Sequence, residues 1–270
     1  MNMLLKNKMV LFGLIIVSAL VLISIAAPVI APYEPTEINI EEALLPPSAS
    51  HIFGTDDLGR DLFSRMVYGA RISMFVGFIA VGIALLIGVI LGSISGFYGG
   101  KTDMIIMRFV DIMLCFPTFF LMLSVIAVLE PNITNIMVVI GVTGWMGIAR
   151  LIRAEILSLK EREFIIAAKA MGASDFRIIV KHLIPNAMAP VLVSGIMGMA
   201  SAILIESSLS FLGLGVQPPT PSWGNILMEG KGALGVAWWM MLIPGFAILT
   251  TVLGYNLLGE GIRIMMNKRR

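Results

Sequence analysis

Residues 72–100 read ISMFVGFIAVGIALLIGVILGSISGFYGG, with no Asp, Glu, Lys or Arg anywhere in the run. A helix rises about 1.5 Å per residue and a bilayer's hydrocarbon core is about 30 Å thick, so this run is long enough to cross. Similar charge-free runs occupy residues 9–33, 131–149, 183–205 and 232–259. The stretch 104–129 is apolar apart from Arg108 and Asp111 near its start, and it counts as a sixth crossing. The expected fold is an all-α integral membrane protein of six transmembrane helices.

Composition agrees. The chain is 58% hydrophobic and 13% charged, with a mean hydropathy of +0.94. Soluble domains carry about 25% charged residues, so too few charges are present to clothe a soluble globule of this length. Residues 207–228 are also uncharged but hold Pro218, Pro219 and Pro221. Proline removes backbone donors that lipid cannot replace, so this segment is read as an extracytoplasmic loop packed on protein. The first run could be a signal peptide, with Lys6 and Lys8 ahead of it and Ala26-Ala27 behind. Pro28 directly after that pair disfavours cleavage, and an uncleaved helix is expected.

Six crossings put both termini on one side, and basic residues choose the side. With the N-terminus cytoplasmic, 15 of the 19 Lys and Arg fall inside, leaving Arg60, Arg65, Arg71 and Lys231 outside. Both termini are therefore expected in the cytoplasm. The chain divides into residues 1–71, a first helix plus an extracytoplasmic segment, and residues 72–270, a five-helix core. Within the first part, Asp56, Asp57, Arg60 and Asp61 around Gly54 and Gly59 suggest a turn into an amphipathic helix over 60–71. That helix would lie at the membrane interface, meet a partner, or do both.

The longest polar stretch on the cytoplasmic side is 150–185, between crossings four and five. Its composition predicts a helix over 155–171, stopped by Gly172 in a left-handed cap. Ala173-Ser174-Asp175 would supply the N-cap of a second helix over 176–183, and Pro185 suits the first turn of the next crossing. Small residues at the Gly172-Ala173-Ser174 corner would let another protein approach the backbone. Spacing alone leaves open an ordinary amphipathic hairpin lying on the inner leaflet.

Ala167-Ala168-x3-Gly172, with Pro185 thirteen residues on, resembles the EAA loop of ABC-importer permeases, whose pattern reads Glu-Ala-Ala-x3-Gly-x9-Ile-x-Leu-Pro. Ile166, His182 and Ile184 depart from it. The wording Glu163-Phe-Ile-Ile-Ala-Ala-Lys-Ala-Met-Gly-Ala-Ser and His182-Leu-Ile-Pro-Asn is similar to the dipeptide/oligopeptide/nickel branch. Two further stretches are similar to that branch: His51-Ile-Phe-Gly-Thr-Asp-Asp-Leu-Gly-Arg-Asp-Leu-Phe-Ser-Arg, with Tyr68-Gly-Ala-Arg-Ile-Ser, and Glu206-Ser-Ser-Leu-Ser-Phe-Leu-Gly-Leu-Gly, with Pro221-Ser-Trp-Gly.

The resemblance implies a second-type permease subunit in a bacterial or archaeal cytoplasmic membrane. Its partners would be a homologous permease, two ATPase subunits and an extracytoplasmic solute-binding protein. Glu163, Ala167, Ala168, Gly172, Ala173, Ser174, Asp175 and Pro185 would form the ATPase-coupling element, and the mechanism would be alternating access. ATP and Mg²⁺ would sit on the partners. No cofactor, nucleic acid or catalysis is expected of this chain. Asp56, Arg60, Asp61 and Trp223 are candidates for extracytoplasmic contact. Di- and oligopeptides are the expected substrates, with nickel the alternative within the family and a secondary transporter the alternative outside it.

Other features have plainer readings. Ser95-Gly-Phe-Tyr-Gly-Gly-Lys-Thr102 nearly spells a phosphate-binding loop, but it follows a membrane helix rather than a strand. His51 and His182 have no metal-site spacing, and Cys115 reads as a small buried hydrophobe. Methionines are scattered, as adaptable packing requires. Arg108 and Asp111 are spaced to pair along one helix. Glu206, with Ser207 and Ser208, either lines a translocation path or anchors the Pro-rich segment after it. The residues alone leave both open.

Overall fold

A computed structural model describes residues 7–267. Lys6, Lys268, Arg269 and Arg270 of the charge argument lie outside the described residues. Among the described residues the regular structure is helical, with a single isolated bridge between Thr55 and Asp61 and no strand. The elements are α1 (Lys8–Ile30), α2 (Leu62–Tyr98), α3 (Gly100–Cys115), α4 (Thr118–Leu129), α5 (Ile133–Gly144) and α6 (Met146–Leu159). They continue as α7 (Glu163–Ala170), α8 (Asp175–Ile178), α9 (Ile184–Phe211), α10 (Trp223–Gly230) and α11 (Trp239–Asn267).

Local chemistry sets the boundaries. Asn7, Asp61 and Asn132 each cap a helix by accepting a backbone N–H, from Met9, Ser64 and Asn135 at 3.0, 2.7 and 2.8 Å. Ser222 and Asn225 close a reciprocal capping box at the start of α10. Five stretches are long and apolar enough to cross a membrane, and the bent pair α3–α4, folded by 85° at Phe116-Pro117, supplies a sixth if it counts as one.

Several boundaries differ from the sequence expectation. The helix expected over 60–71 is the first part of α2, because Arg65 is buried and neutralised rather than left at an interface. The loop expected over 207–228 is helical to Phe211 and again from Trp223. The helix expected over 155–171 is interrupted at 160–162. Ser174, within the stretch expected to cap, occupies the cap position of α8, but α8 ends at Ile178 and a wide π-type turn at Ile179–Leu183 joins it to α9. The last crossing starts at Trp239, seven residues later than the charge-free run. Cys115 is exposed, at the bend between α3 and α4.

Helix directions follow from close approaches. Gly88, Gly92 and Gly96 of α2 meet Ile148, Ala149 and Ile156 of α6, so the two run in the same direction. The chain must then return between them, and α3–α4 makes that return. Gly77 and Gly195 place α9 antiparallel to α2, and Gly13, Gly254 and Gly261 place α11 antiparallel to α1. The amide of Asn7 reaches the carbonyl of Gly261. The two ends of the described chain therefore lie at one end of the bundle, with the 160–183 loop.

Candidate coupling loop and central cavity

The loop at that end is built on a corner. The N–H of Ala173 reaches the carbonyl of Ala168 at 3.1 Å, and that of Gly172 reaches Lys169 at 2.9 Å. This pair of bonds closes a helix through a left-handed residue, and Gly172 takes it with φ +80. A Cβ there would meet nothing within 4 Å, so backbone conformation rather than crowding calls for glycine.

Under the corner, Ile165 of α7 and Ile178 of α8 are buried with Ile152 and Ile156 of α6, Val110 of α3 and Leu183. The Lys169 ammonium lies 5.4 Å from the centre of the Phe97 ring at the end of α2. The Lys160 ammonium reaches the Gly96 carbonyl. The loop is thus fixed to α2, α3 and α6.

Of the residues expected to couple, Glu163, Ala167, Gly172, Ser174, Asp175 and Pro185 are exposed, Ala173 is half-buried, and Ala168 faces the core. The sequence reading missed Phe164, Met171 and Phe176. Met171 is 82% and Phe176 77% exposed, beside the corner. Large apolar side chains in the long polar stretch 150–185 were the available signal, because exposed apolar groups at a polar rim mark contact sites.

Deeper in the bundle is a cavity of about 410 Å³. Ala80 and Ala84 of α2, Leu114 and Thr118 at the α3–α4 bend, Thr143 and Met146 at the α5–α6 junction, and Ser194 and Ser201 of α9 line it. Its polar side chains are all hydroxyls, and none of its lining residues is charged. Below it, two ion pairs tie α3 to α6. Arg153 holds Asp103 through two bonds of 2.5 Å, and Arg150 holds Asp111 at 2.5 Å. The expected Arg108–Asp111 pair gives way to that second contact, because α6 brings Arg150 across from a neighbouring helix.

Glu206 lies elsewhere, fully buried in α9. Its carboxylate accepts the hydroxyls of Ser210 at 2.8 Å, Ser73 of α2 at 3.1 Å and Ser207 at 3.4 Å. Ser210 also accepts the N–H of Val216, and Ser73 that of Trp223. Ser208 is exposed and bonds back to Leu204. None of Glu206, Ser207 and Ser208 lines the cavity. The geometry is that of an anchor for the segment 212–222.

The opposite end carries a cap of charged groups. Asp56 is fully buried and accepts the backbone N–H groups of Leu58 and Arg60, the Arg60 side chain at 2.7 Å, and Arg65. Glu229 of α10 accepts Arg65 at 2.7 Å and Arg60 at 3.1 Å. Asp61 caps α2 and holds the His51 imidazole at 2.9 Å, with Tyr33 stacked on that ring. Partial burial, with Asp56 and Glu229 nearby, holds the Asp57 carboxyl above the usual aspartate value despite Arg60. Trp223 is 2% exposed and donates its indole N–H to the Met66 carbonyl at 3.0 Å. Asp56, Arg60, Asp61 and Trp223 were expected to face a partner. All four side chains are buried and hold the cap together.

Residues 88–263 match the family model described as binding-protein-dependent transport system inner membrane component. Residues 1–47 match the N-terminal TM domain of oligopeptide transport permease C. A dipeptide transport system permease protein of Alkalihalophilus pseudofirmus is 46% identical over 96% of this chain and 85% of its own length. An oligopeptide transport system permease protein of Bacillus subtilis is 42% identical over the same shares. Among solved structures, an inward-facing form of the MetNI methionine ABC transporter aligns with a TM-score of 0.56 at 21% identity. It covers 74% of this chain and 94% of that one.

Proposed function

We propose a function from one premise: this chain belongs to the family of binding-protein-dependent transport system inner membrane components. It is a multi-pass inner-membrane permease subunit of an ABC importer, and its substrates are di- and oligopeptides, as in the relatives' names. Those names give no support to nickel. Membership in this family displaces the secondary-transporter reading and makes the chain a transport subunit rather than an enzyme.

The finer reading concerns the loop. A separate ATPase subunit docks on the corner at Gly172, with Phe164, Met171 and Phe176 as apolar contacts and Glu163, Ala173, Ser174 and Asp175 as the polar surround. The observation that carries this is that exposed large apolar side chains flank in sequence an open left-handed corner whose underside is fixed to three membrane helices. ATP and Mg²⁺ would be bound by two such ATPase subunits, and a homologous permease and a solute-binding protein would complete the importer. The cavity walled by Ala80, Thr118, Thr143 and Ser201 is this chain's part of the peptide path.

The cytoplasmic side is the end holding both termini and the loop. Two of the four basic residues at the other end, Arg60 and Arg65, are buried against Asp56 and Glu229.

A test uses Ala173→Cys in a Cys115→Ser background, co-expressed with the remaining subunits. Crosslinking to the ATPase subunit is expected. An assembled complex that gives no crosslink from any position along 170–176 would overturn the docking role.

A further inference from the structure

One helix touches every part of the site. α2 runs unbroken for 37 residues, a rod of roughly 55 Å at helical rise. At its inner end Gly96 and Phe97 receive Lys160 and Lys169 from the coupling region. Midway, Ala80 and Ala84 wall the cavity. At its outer end Arg65 joins Asp56 and Glu229, and Ser73 joins Glu206 and Trp223. The other long helices are interruptible: α1, α9 and α11 carry Pro28, Pro190 and Pro244 inside them, whereas α2 carries none. Proline in a helix interior removes a hydrogen bond and bends the axis, so α2 is the one of the four without such a bend point. Its lower half is also locked to α6. A Cβ at Gly92 would sit 2.5 Å from the Ala149 carbonyl, so the two backbones are in direct contact.

The cap end is costly to build. Arg65 and Asp56 are both fully buried, and desolvating such a pair usually offsets the attraction gained, so simple stability is a weak reason to have it. A buried pair with fixed geometry does hold elements in register. Here it fixes the first turn of α2 to α10 and to the 51–61 segment.

We infer that α2 is a rigid strut that carries displacement between the extracytoplasmic cap and the ATPase-docking loop, with Arg65 and Glu229 as the positioning residues at its outer end. The inference rests on the docking role proposed for the loop. A strut needs only two fixed ends and a stiff middle, and each is a separate observation. Displacement of either end must then alter the free energy of events at the other, in both directions.

The experiment uses the complete importer in proteoliposomes with its solute-binding protein. The readout is the maximal stimulation of ATP hydrolysis at saturating peptide-loaded binding protein, alongside the basal rate. Glu229→Gln loosens the outer end and keeps the side chain's shape. Gly82→Pro breaks the middle at a position where a Cβ would meet nothing within 4 Å, and Gly82→Ala is its control. Glu229→Gln and Gly82→Pro should each lower maximal stimulation by about fivefold or more, the lower end of ordinary coupling between sites. Basal hydrolysis and co-purification of the ATPase should hold, and Gly82→Ala should match the parent.

A higher half-saturating concentration with an unchanged maximum would make the cap a docking surface only and overturn the strut. Loss in Glu229→Gln with full stimulation in Gly82→Pro would overturn it too. If Gly82→Pro does not assemble, Arg65→Lys replaces it, and an unchanged maximum in both cap variants overturns the proposal. The Ala173→Cys crosslink, made in the same preparations, separates the two readings: its absence in the parent refutes the docking role and the strut with it, whereas a crosslink with unchanged maximal stimulation in the variants refutes the strut alone.

Discussion

Replacing Gly92 with alanine should drive α2 and α6 apart. The added Cβ would lie 2.5 Å from the Ala149 carbonyl oxygen and 3.0 Å from both Ala149 Cα and Ile152 Cβ. Carbon contacts are comfortable at about 3.5–4.0 Å, so the backbones must separate by roughly 1 Å or the ridge must shift. Overpacking of this kind typically costs about 1–3 kcal/mol. Alanine also returns about 1 kcal/mol of helix propensity over glycine, and Gly82→Ala makes that gain with open space around it. The difference between the two variants therefore isolates the clash. At about 2–4 °C per kcal/mol for a chain of this size, Gly92→Ala should melt roughly 2–12 °C below Gly82→Ala. Gly96→Ala, whose nearest contact is 3.0 Å, should fall between them. The measurement is a thermal melt of detergent-solubilised protein followed by size-exclusion recovery. A Gly92→Ala melt at or above that of Gly82→Ala would refute the close α2–α6 contact and the strut's locked lower half with it.

Glu206→Ala leaves the hydroxyls of Ser73 and Ser210 without their buried acceptor, at about 1–3 kcal/mol, whereas Glu206→Gln keeps an acceptor and should cost less; the same melts rank them. Trp223→Phe loses half of the indole as well as the N–H bond to Met66, so it should lower stability by more than the roughly 1 kcal/mol of that bond alone. Asp57 has its carboxyl held above the usual value in the folded chain. It therefore favours the fold when protonated, and that contribution is lost as pH rises through the folded value. Asp57→Asn should accordingly raise the melting temperature at neutral pH and lose that advantage in acid. The effect should be small, because half of the side chain is exposed. Phe176→Glu should weaken ATPase recovery on affinity purification while leaving the monomer's melt unchanged, since Phe176 is 77% exposed.

Much of the bundle was legible because lipid imposes a rule a sequence cannot hide. Charge-free runs marked the five long apolar helices, and Gly172 marked its corner by a conformation other residues resist. The errors share a cause. Charge was used to end each span, so α2 was started after Arg71, although Arg65 lies buried within the same helix. One of the two acids that neutralise Arg65, Glu229, lies 164 residues away, and no local spacing reveals it. Asp111 was likewise paired along its own helix, when Arg150 on α6 was the partner. The cavity was invisible for a different reason: small residues and hydroxyls spread over four segments make no pattern in one dimension.

The buried acid in α9 shows how cap and membrane core depend on each other. A carboxylate within a span costs roughly 2.5–3.5 kcal/mol on insertion scales, and a substrate path could account for such a cost. Glu206 instead meets three hydroxyls and no cavity. What it supports is the segment 212–222, where the chain leaves the helix and its backbone groups need partners. Ser210 supplies one to Val216, Ser73 one to Trp223, and Asn225 accepts the N–H of Ser222 at 2.8 Å. Those bonds seat Trp223 against Met66 and bring Glu229, two turns on, within reach of Arg65. Glu206 and the Arg65 network thus fasten the same stretch of chain to the first turns of α2 from two sides. Removing either should loosen the other, and Glu206→Ala combined with Glu229→Gln should destabilise by other than the sum of the single changes.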